Sequence, residues 1–277
     1  MLQFKMVNLK HLTLLIIVVV VAFLSYLFYS LNNIEKENFL ISNIESALIT
    51  TKNFLEEEKK QALSLAILLS EDKEFLEYFI SNDRKKVFDT IQKKLKSISI
   101  VQPDKFKIQV HDKELKAYLR SWDYETSGVR LDSFRKGLVY AKENKTPFVS
   151  VELGLRLNIK AIAPIFIDDE FIGSIEVITE FESVSDMMKQ RGYDFVVLLD
   201  SKYVDNSNIV QKNRKIKNYI VCNNVENISL LNSLENIEFL NLKDYGYEIG
   251  DVSFGYFSIY DLNNTNLGYI LIALKKR

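Results

Sequence analysis

Four cationic side chains, Arg120, Arg135, Arg156 and Lys160, fall within forty-one residues, with His111, Tyr118, Trp122 and Tyr124 close by in the chain. That combination suits the capture of a small anion: guanidinium groups donate paired hydrogen bonds to a carboxylate, and aromatic rings close over it. Strand alternation puts Tyr118, Arg120, Trp122 and Tyr124 on one face, with Leu119 and Ser121 on the other. The competing reading is a solvent face whose rings pack beneath long side chains. Glu176 lies in the apolar run 172–178, on one face with Ile172, Ser174 and Ile178. A carboxylate there needs a partner. Either Arg135 or Lys160 supplies it as an internal ion pair, or a ligand's ammonium or hydroxyl does. His111 reads as a packed strand-end residue or as a ligand contact, and its titration near neutral pH would let it register acidity. Glu152, two residues before Gly154, reads as a turn acid or a contact. Arg156 falls in a loop that could cover the pocket.

Other chemistries lack their residues. The chain has no Gly-x-Ser-x-Gly, Walker loop, Gly-x-Gly-x-x-Gly or His-Glu-x-x-His. A Ser-His-Asp triad would have to recruit His111, and nothing singles out a serine. Cys222 is the one cysteine, which excludes an internal disulfide and a multi-cysteine metal site, and two histidines argue against zinc. Asp168-Asp169 fits a hairpin turn, where Asp serves the backbone. No catalytic residue, cofactor or metal is expected. With 36 basic and 37 acidic residues the net charge is −1, so no field draws nucleic acid. At 277 residues and 47% hydrophobic, with 9 Gly and 3 Pro, the chain can bury one large core or two small ones.

The elements that must carry these residues begin with residues 12–31, twenty residues without a charge, which is the length of a membrane-crossing helix. A signal peptide is the competitor, but the apolar run is too long and no small-x-small cleavage pattern follows. Lys5 and Lys10 precede the run and Glu35 and Glu37 follow it, so the leader 1–11 is expected in the cytoplasm and the rest outside. Residues 32–70 carry one apolar stripe (Leu40, Ile44, Leu48, Leu55, Ala62, Leu69) with no Gly or Pro, which predicts a helix roughly 55–60 Å long. Two helices broken near Thr50-Thr51 are the alternative. Asp83 caps a further helix.

Beyond Pro103 the period changes to two. Strands are expected at 106–110, within 115–121, and at 147–153, 157–167 and 171–179, with a helix at 131–143. A smaller version follows, with strands at 194–200, 237–242, 252–260 and 267–274 and a helix at 226–235. The endings match at an offset of 95 residues, with Gly173 and Gly268 in register, which suggests a duplicated sheet-and-helix unit. Tyr203, Tyr219, Tyr245, Tyr247 and Tyr256 are scattered through the second unit without charged neighbours. That unit reads as a transmitting spacer.

The segments IQVHDKELKAYLRSWDYETSGVRLDSFRKGL, PFVSVELG and IKAIAPIFIDDEFIGSIEV resemble the double Cache family of bacterial extracytoplasmic sensors. The matching positions are His111, Arg120 and Trp122, Ser133-Phe134-Arg135, Glu152-Leu153-Gly154, Ala163-Pro164 and Gly173-Ser174-Ile175-Glu176. The family's usual Gly-Asp is Gly128-Val129 here, and its usual Arg before Ala-Pro is Lys160, a point charge in place of a planar fork. The resemblance implies an α+β fold: a transmembrane helix, a long stalk helix and two stacked PAS-like antiparallel-sheet modules. Residues 32–100 would form the stalk and following helix, 101–188 the membrane-distal ligand-binding module and 189–277 the membrane-proximal one.

It also implies a single-pass inner-membrane receptor input of the chemotaxis or two-component type. The expected ligand is a small organic acid, with an amino acid as runner-up, held by Arg120, Trp122, Tyr118, Tyr124, Arg135, Lys160, Glu176 and His111. In the family a second membrane helix and an output module would be expected beyond Lys275-Lys276-Arg277. A separately encoded output protein, or a longer reading frame, is therefore an expected partner, and a homodimer through the stalk is open. A membrane-anchored envelope interaction protein without a small ligand is the alternative function.

Overall fold

The structure is a computed structural model that describes residues 9–205, 209–239 and 242–274. Most of the leader 1–11 lies outside the described residues. Helix α1 (Leu9–Ser70) is one continuous element of 62 residues. It does not break at Thr50-Thr51, because Thr51 is buried and its hydroxyl donates back to the Ala47 carbonyl at 2.8 Å. Its residues 12–31 are exposed and apolar, and the helix is long and apolar enough to cross a membrane. Helix α2 (Lys73–Ile80) starts where the Asp72 side chain accepts from the Phe75 amide, and α3 (Arg84–Ser99) where Asp83 accepts from Lys86.

The first sheet holds β1 (Phe106–Asp112), β2 (Ala117–Arg120), β3 (Phe148–Leu153), β4 (Leu157–Ile167) and β5 (Glu170–Thr179), in the order β2-β1-β5-β4-β3. Helix α4 (Lys136–Asn144) lies between β2 and β3 in sequence, starting later than the expected 131. Helix α5 (Glu182–Gln190) leads to the second sheet. That sheet contains β6 (Tyr193–Asp200), β7 (Lys215–Ile216), β8 (Tyr219–Val221), β9 (Tyr245–Glu248), β10 (Phe254–Tyr260) and β11 (Asn266–Leu274), with α6 (Ile228–Leu234) between β8 and β9. Its order is β7-β8-β6-β11-β10-β9.

Apart from the added edge strand β7, the two orders are the same. In each, the first strand sits between the second and the last, and the fourth and third follow outward. The two glycines confirm the correspondence. A Cβ at Gly173 would stand 2.3 Å from the His111 carbonyl oxygen of β1, and one at Gly268 would stand 2.0 Å from the Leu198 carbonyl oxygen of β6. The expected strand at 237–242 is not formed by its described residues. Phe239 instead turns inward and packs against Tyr219, with ring centroids 5.0 Å apart, and helps close the outer core of the second sheet.

Helix α1 runs past both sheets. Ile44, Ala47, Leu48 and Leu55 pack with the second sheet, and Ala62, Ala66 and Leu69 with the first. The second sheet therefore lies nearer the apolar segment. Gly255 lets β10 approach the helix, since a Cβ there would meet Ile44 and Leu48 at 2.6 Å. Val151, Leu157 and Ile159 of the first sheet join the same core as Val197, Ile270 and Ile272 of the second. The two sheets thus share buried surface, which allows one to be affected by what the other holds.

Candidate functional site

Antiparallel register assembles the polar residues on one face of the first sheet. Lys160 on β4 pairs with Ile178 on β5, which pairs with Lys107 on β1. Two residues along, Glu176 pairs with Gln109, which pairs with Arg120 on β2. Because the side-chain period is two, Lys160, Glu176, Gln109 and Arg120 all project to the same side. Over part of this face lies a cavity of about 760 Å³, closed on one flank by the 121–135 segment and below by loops of the second sheet. Gln109, Arg120, Arg135, Glu152 and Lys160 give it a polar end; Tyr203, Ile209, Leu262 and Leu267 line it from the second sheet's side.

Part of this wall is a buried ionic cluster. Arg135, at the start of α4, donates through Nε to Glu152 Oε2 at 3.4 Å and through Nη2 to Glu176 Oε1. Glu152 Oε1 accepts from the Ser150 hydroxyl at 3.0 Å. His111 Nδ1 pairs with Ser174 Oγ at 3.0 Å, and its Nε2 stands 3.6 Å from Glu176 Oε2. Burial alone would raise the Glu176 carboxyl, but Arg135, with Lys160 and His111, holds it below the ordinary range. Burial pushes His111 down to about 4, so it is neutral at pH 7. Burial, and then the Arg135 charge, push Lys160 down to about 7.

The structure separates the eight residues expected to touch a ligand. Arg120, Trp122, Arg135 and Lys160 line the cavity. Glu176 and His111 do not; both are fully buried on the same sheet face, and Glu176 is engaged as the internal ion pair with Arg135. Tyr118 and Tyr124 face elsewhere. The β1–β2 register shifts between Val110 and His111, leaving Tyr118 as the extra residue of a bulge, and the strand ends at Arg120. The even alternation from 118 to 124 therefore fails. Tyr118 packs edge-on against Phe79 at 5.1 Å, and Tyr124 against Phe88 at 5.0 Å under Arg84.

Glu152 is not a turn acid: it lies in β3 and points at Arg135. Arg156 is exposed at the cavity rim. Gln109 was missed because an isolated strand glutamine carries no signal until its register with Arg120 is known. Tyr203 belongs to the unit that reads from sequence as a spacer, yet it lines the cavity; nothing in sequence shows that its loop folds back under the first sheet.

Residues 43–276 match the family described as the double sensory domain of two-component sensor kinase, dCache_3. The chain belongs to the double Cache sensory family. No curated protein matches it. Among solved structures, the chain is similar to a Vibrio parahaemolyticus domain titled as of the sensory box/GGDEF family, with TM-score 0.53 and 16% identity over 86% of this chain and 96% of that one. It is similar to the extracellular domain of a protein titled as histidine kinase vpHK1S-Z8, with TM-score 0.51 and 15% identity over 86% and 95%. It is also similar to the ligand-binding domain of the Campylobacter jejuni chemoreceptor Tlp3 in complex with 4-methylisoleucine, with TM-score 0.50 and 15% identity over 84% and 89%. At such identities the double Cache likeness is one of fold.

Proposed function

We propose that this chain is the extracytoplasmic sensing part of a bacterial transmembrane receptor, anchored by residues 12–31, and that it binds a small organic anion in the cavity on the first sheet. The observation that carries this reading is Arg120. It lines the cavity, forms no salt bridge among the described residues, and has a buried Nε without a hydrogen-bond partner. A buried donor of this kind is costly unless something accepts from it. Lys160 stands on the same wall, also outside the salt bridges of the cluster. Binding would favour one packing of the sheets on α1 by its differential affinity for two states, and the helix would carry that bias to the membrane. A kinase or chemotaxis output, in this or another chain, would receive it.

The test is thermal unfolding of the full chain in detergent against short carboxylates, amino acids, amines and sugars. A ligand at a hundred times its Kd adds about 2.7 kcal/mol, a shift of several degrees for a protein of this size. That stabilisation should vanish in Arg120→Gln. A flat panel on a cooperatively unfolding protein would instead favour the anchored interaction protein.

A further inference from the structure

The cavity is larger than a two- to four-carbon acid needs, and its chemistry is divided. Gln109 Nε2 and Arg120 Nε are both buried and without a hydrogen-bond partner among the described residues, on two residues that face each other across β1 and β2. Both are donors, so what completes them is an acceptor, and beside a guanidinium the fitting acceptor is an oxyanion. The acids of the cavity are committed. Glu152 holds Arg135 and Ser150. Glu180 takes Lys107 at 2.6 Å, and Asp261 accepts from the Asn263 and Thr265 amides at 2.8 Å each. Asp205 has an interaction of its own. An ammonium entering here would find Glu152 and Glu180 already paired with cations, and Asp261 already accepting from two amides through one oxygen.

Away from this polar end the lining is mixed, with apolar side chains interleaved by Asp205 and Asp261 on the second sheet's side. Leu131 and Ile178 stand on the first sheet's side, and Tyr203, Leu262 and Leu267 across the gap. Around the mouth, Trp122 and Phe134 remain 45% and 54% exposed, and Leu155 is 53% exposed. Exposed apolar side chains grouped on a cavity rim are what a nonpolar part of a ligand would cover. A volume of about 760 Å³ accommodates such a part, whereas a short acid would leave most of it unfilled.

Resting on the sensing reading above, we propose that the cavity takes an amphipathic monocarboxylate, with its head on Arg120 and Gln109 and its hydrocarbon tail lying against the second sheet's Tyr203, Leu262 and Leu267. One carboxylate suits the wall, since its two unpartnered buried donors, Gln109 Nε2 and Arg120 Nε, belong to residues paired side by side across β1 and β2. The tail would make the second sheet part of the binding site rather than a spacer. Ligand length would then be read at the junction of the two sheets.

Trp122 is the only tryptophan and lies on the rim, so its fluorescence follows occupancy. The full chain in detergent is titrated with acetate, butanoate, hexanoate and octanoate, with norleucine as the amino counterpart of hexanoate, and with octanol as the headless control. Affinity should rise about four-fold per added methylene. Hexanoate should bind about tenfold or more tighter than norleucine, and octanol should bind weakly. Arg120→Gln should remove carboxylate binding at every length, which also separates binding from partition into detergent. Leu262→Ala and Tyr203→Ala should flatten the length dependence and spare butanoate, with unliganded unfolding of each variant confirming that it is folded. Equal affinity along the series, or norleucine matching hexanoate, would overturn the ligand class and leave the sensing reading standing. Absence of binding by these and by the wider panel would overturn both.

Discussion

Arg135 and Arg120 sit on the same wall, and their environments predict opposite results when each is removed. Arg135 lies between Glu152 and Glu176, all three nearly inaccessible. Taking it away strips two buried carboxylates of their ion-pair partner, a class of change that costs on the order of 3–5 kcal/mol. Arg135→Ala should therefore unfold at a clearly lower temperature with no ligand present. Arg120→Gln should leave unliganded melting nearly unchanged and act only on binding.

His111 gives a pH signature. Its folded value near 4 lies below the ordinary 6.5, so the unfolded chain binds more protons between those values and stability rises with pH across that window. Acidification from pH 6.5 to 4 should cost on the order of 3 kcal/mol through this one group. Chemical denaturation of His111→Gln should show a shallower acid loss than the parent chain; an identical loss would mean that His111 is not the group responsible. The residue types of this cluster were readable from sequence. Which of them meet a ligand and which meet each other was not, because that depends on a bulge at Tyr118 and on register across four strands.

The elements most plainly written in the sequence were those with a long, clean period. Strands β3, β4, β5 and β11 fall within a residue or two of expectation, and α1 ends at Ser70 as expected while starting three residues early, at Leu9. Helices α2 and α5, of eight and nine residues, are absent from the sequence expectation, although α4 and α6 are as short and are expected there. The 237–242 segment misled because an apolar run serves a core plug as well as a strand.

The duplication was visible chiefly through Gly173 and Gly268, and it makes a paired prediction. Gly268 has φ of +150° and no room toward the Leu198 carbonyl; Gly173 has no room toward that of His111. Since the obstruction is backbone in both, Gly173→Ala and Gly268→Ala should each lose roughly 1–3 kcal/mol or more in denaturant titrations. Gly192, whose φ is +84° but which has open space around it, should tolerate alanine better.

At the scale of the whole molecule, the two sheets are not beads on a rod. They share one buried core through Val151, Leu157 and Ile159, and both rest on α1. Residues 12–31 of that helix, by contrast, are exposed along almost their whole length among the described residues. The full chain should accordingly sediment with membranes and resist alkaline extraction, while a chain beginning after residue 32 should be recovered without detergent. Recovery of the full chain in the aqueous fraction would remove the anchor.

The uninterrupted run of α1 sets a rule of phase. A helix turns about 100° per residue, and here one helix connects the apolar segment to contacts at Ile44, Leu48 and Leu55 and then to contacts at Ala62, Ala66 and Leu69. One residue inserted between Leu55 and Ala62 would rotate one set of contacts out from under its sheet. One inserted between Leu31 and Ile44 would disturb neither sheet but would swing the whole double-sheet body by about 100° around the helix axis relative to the apolar segment. Seven residues, close to two full turns, would nearly restore the original heading. Activity plotted against inserted length in that stretch should therefore oscillate rather than decay.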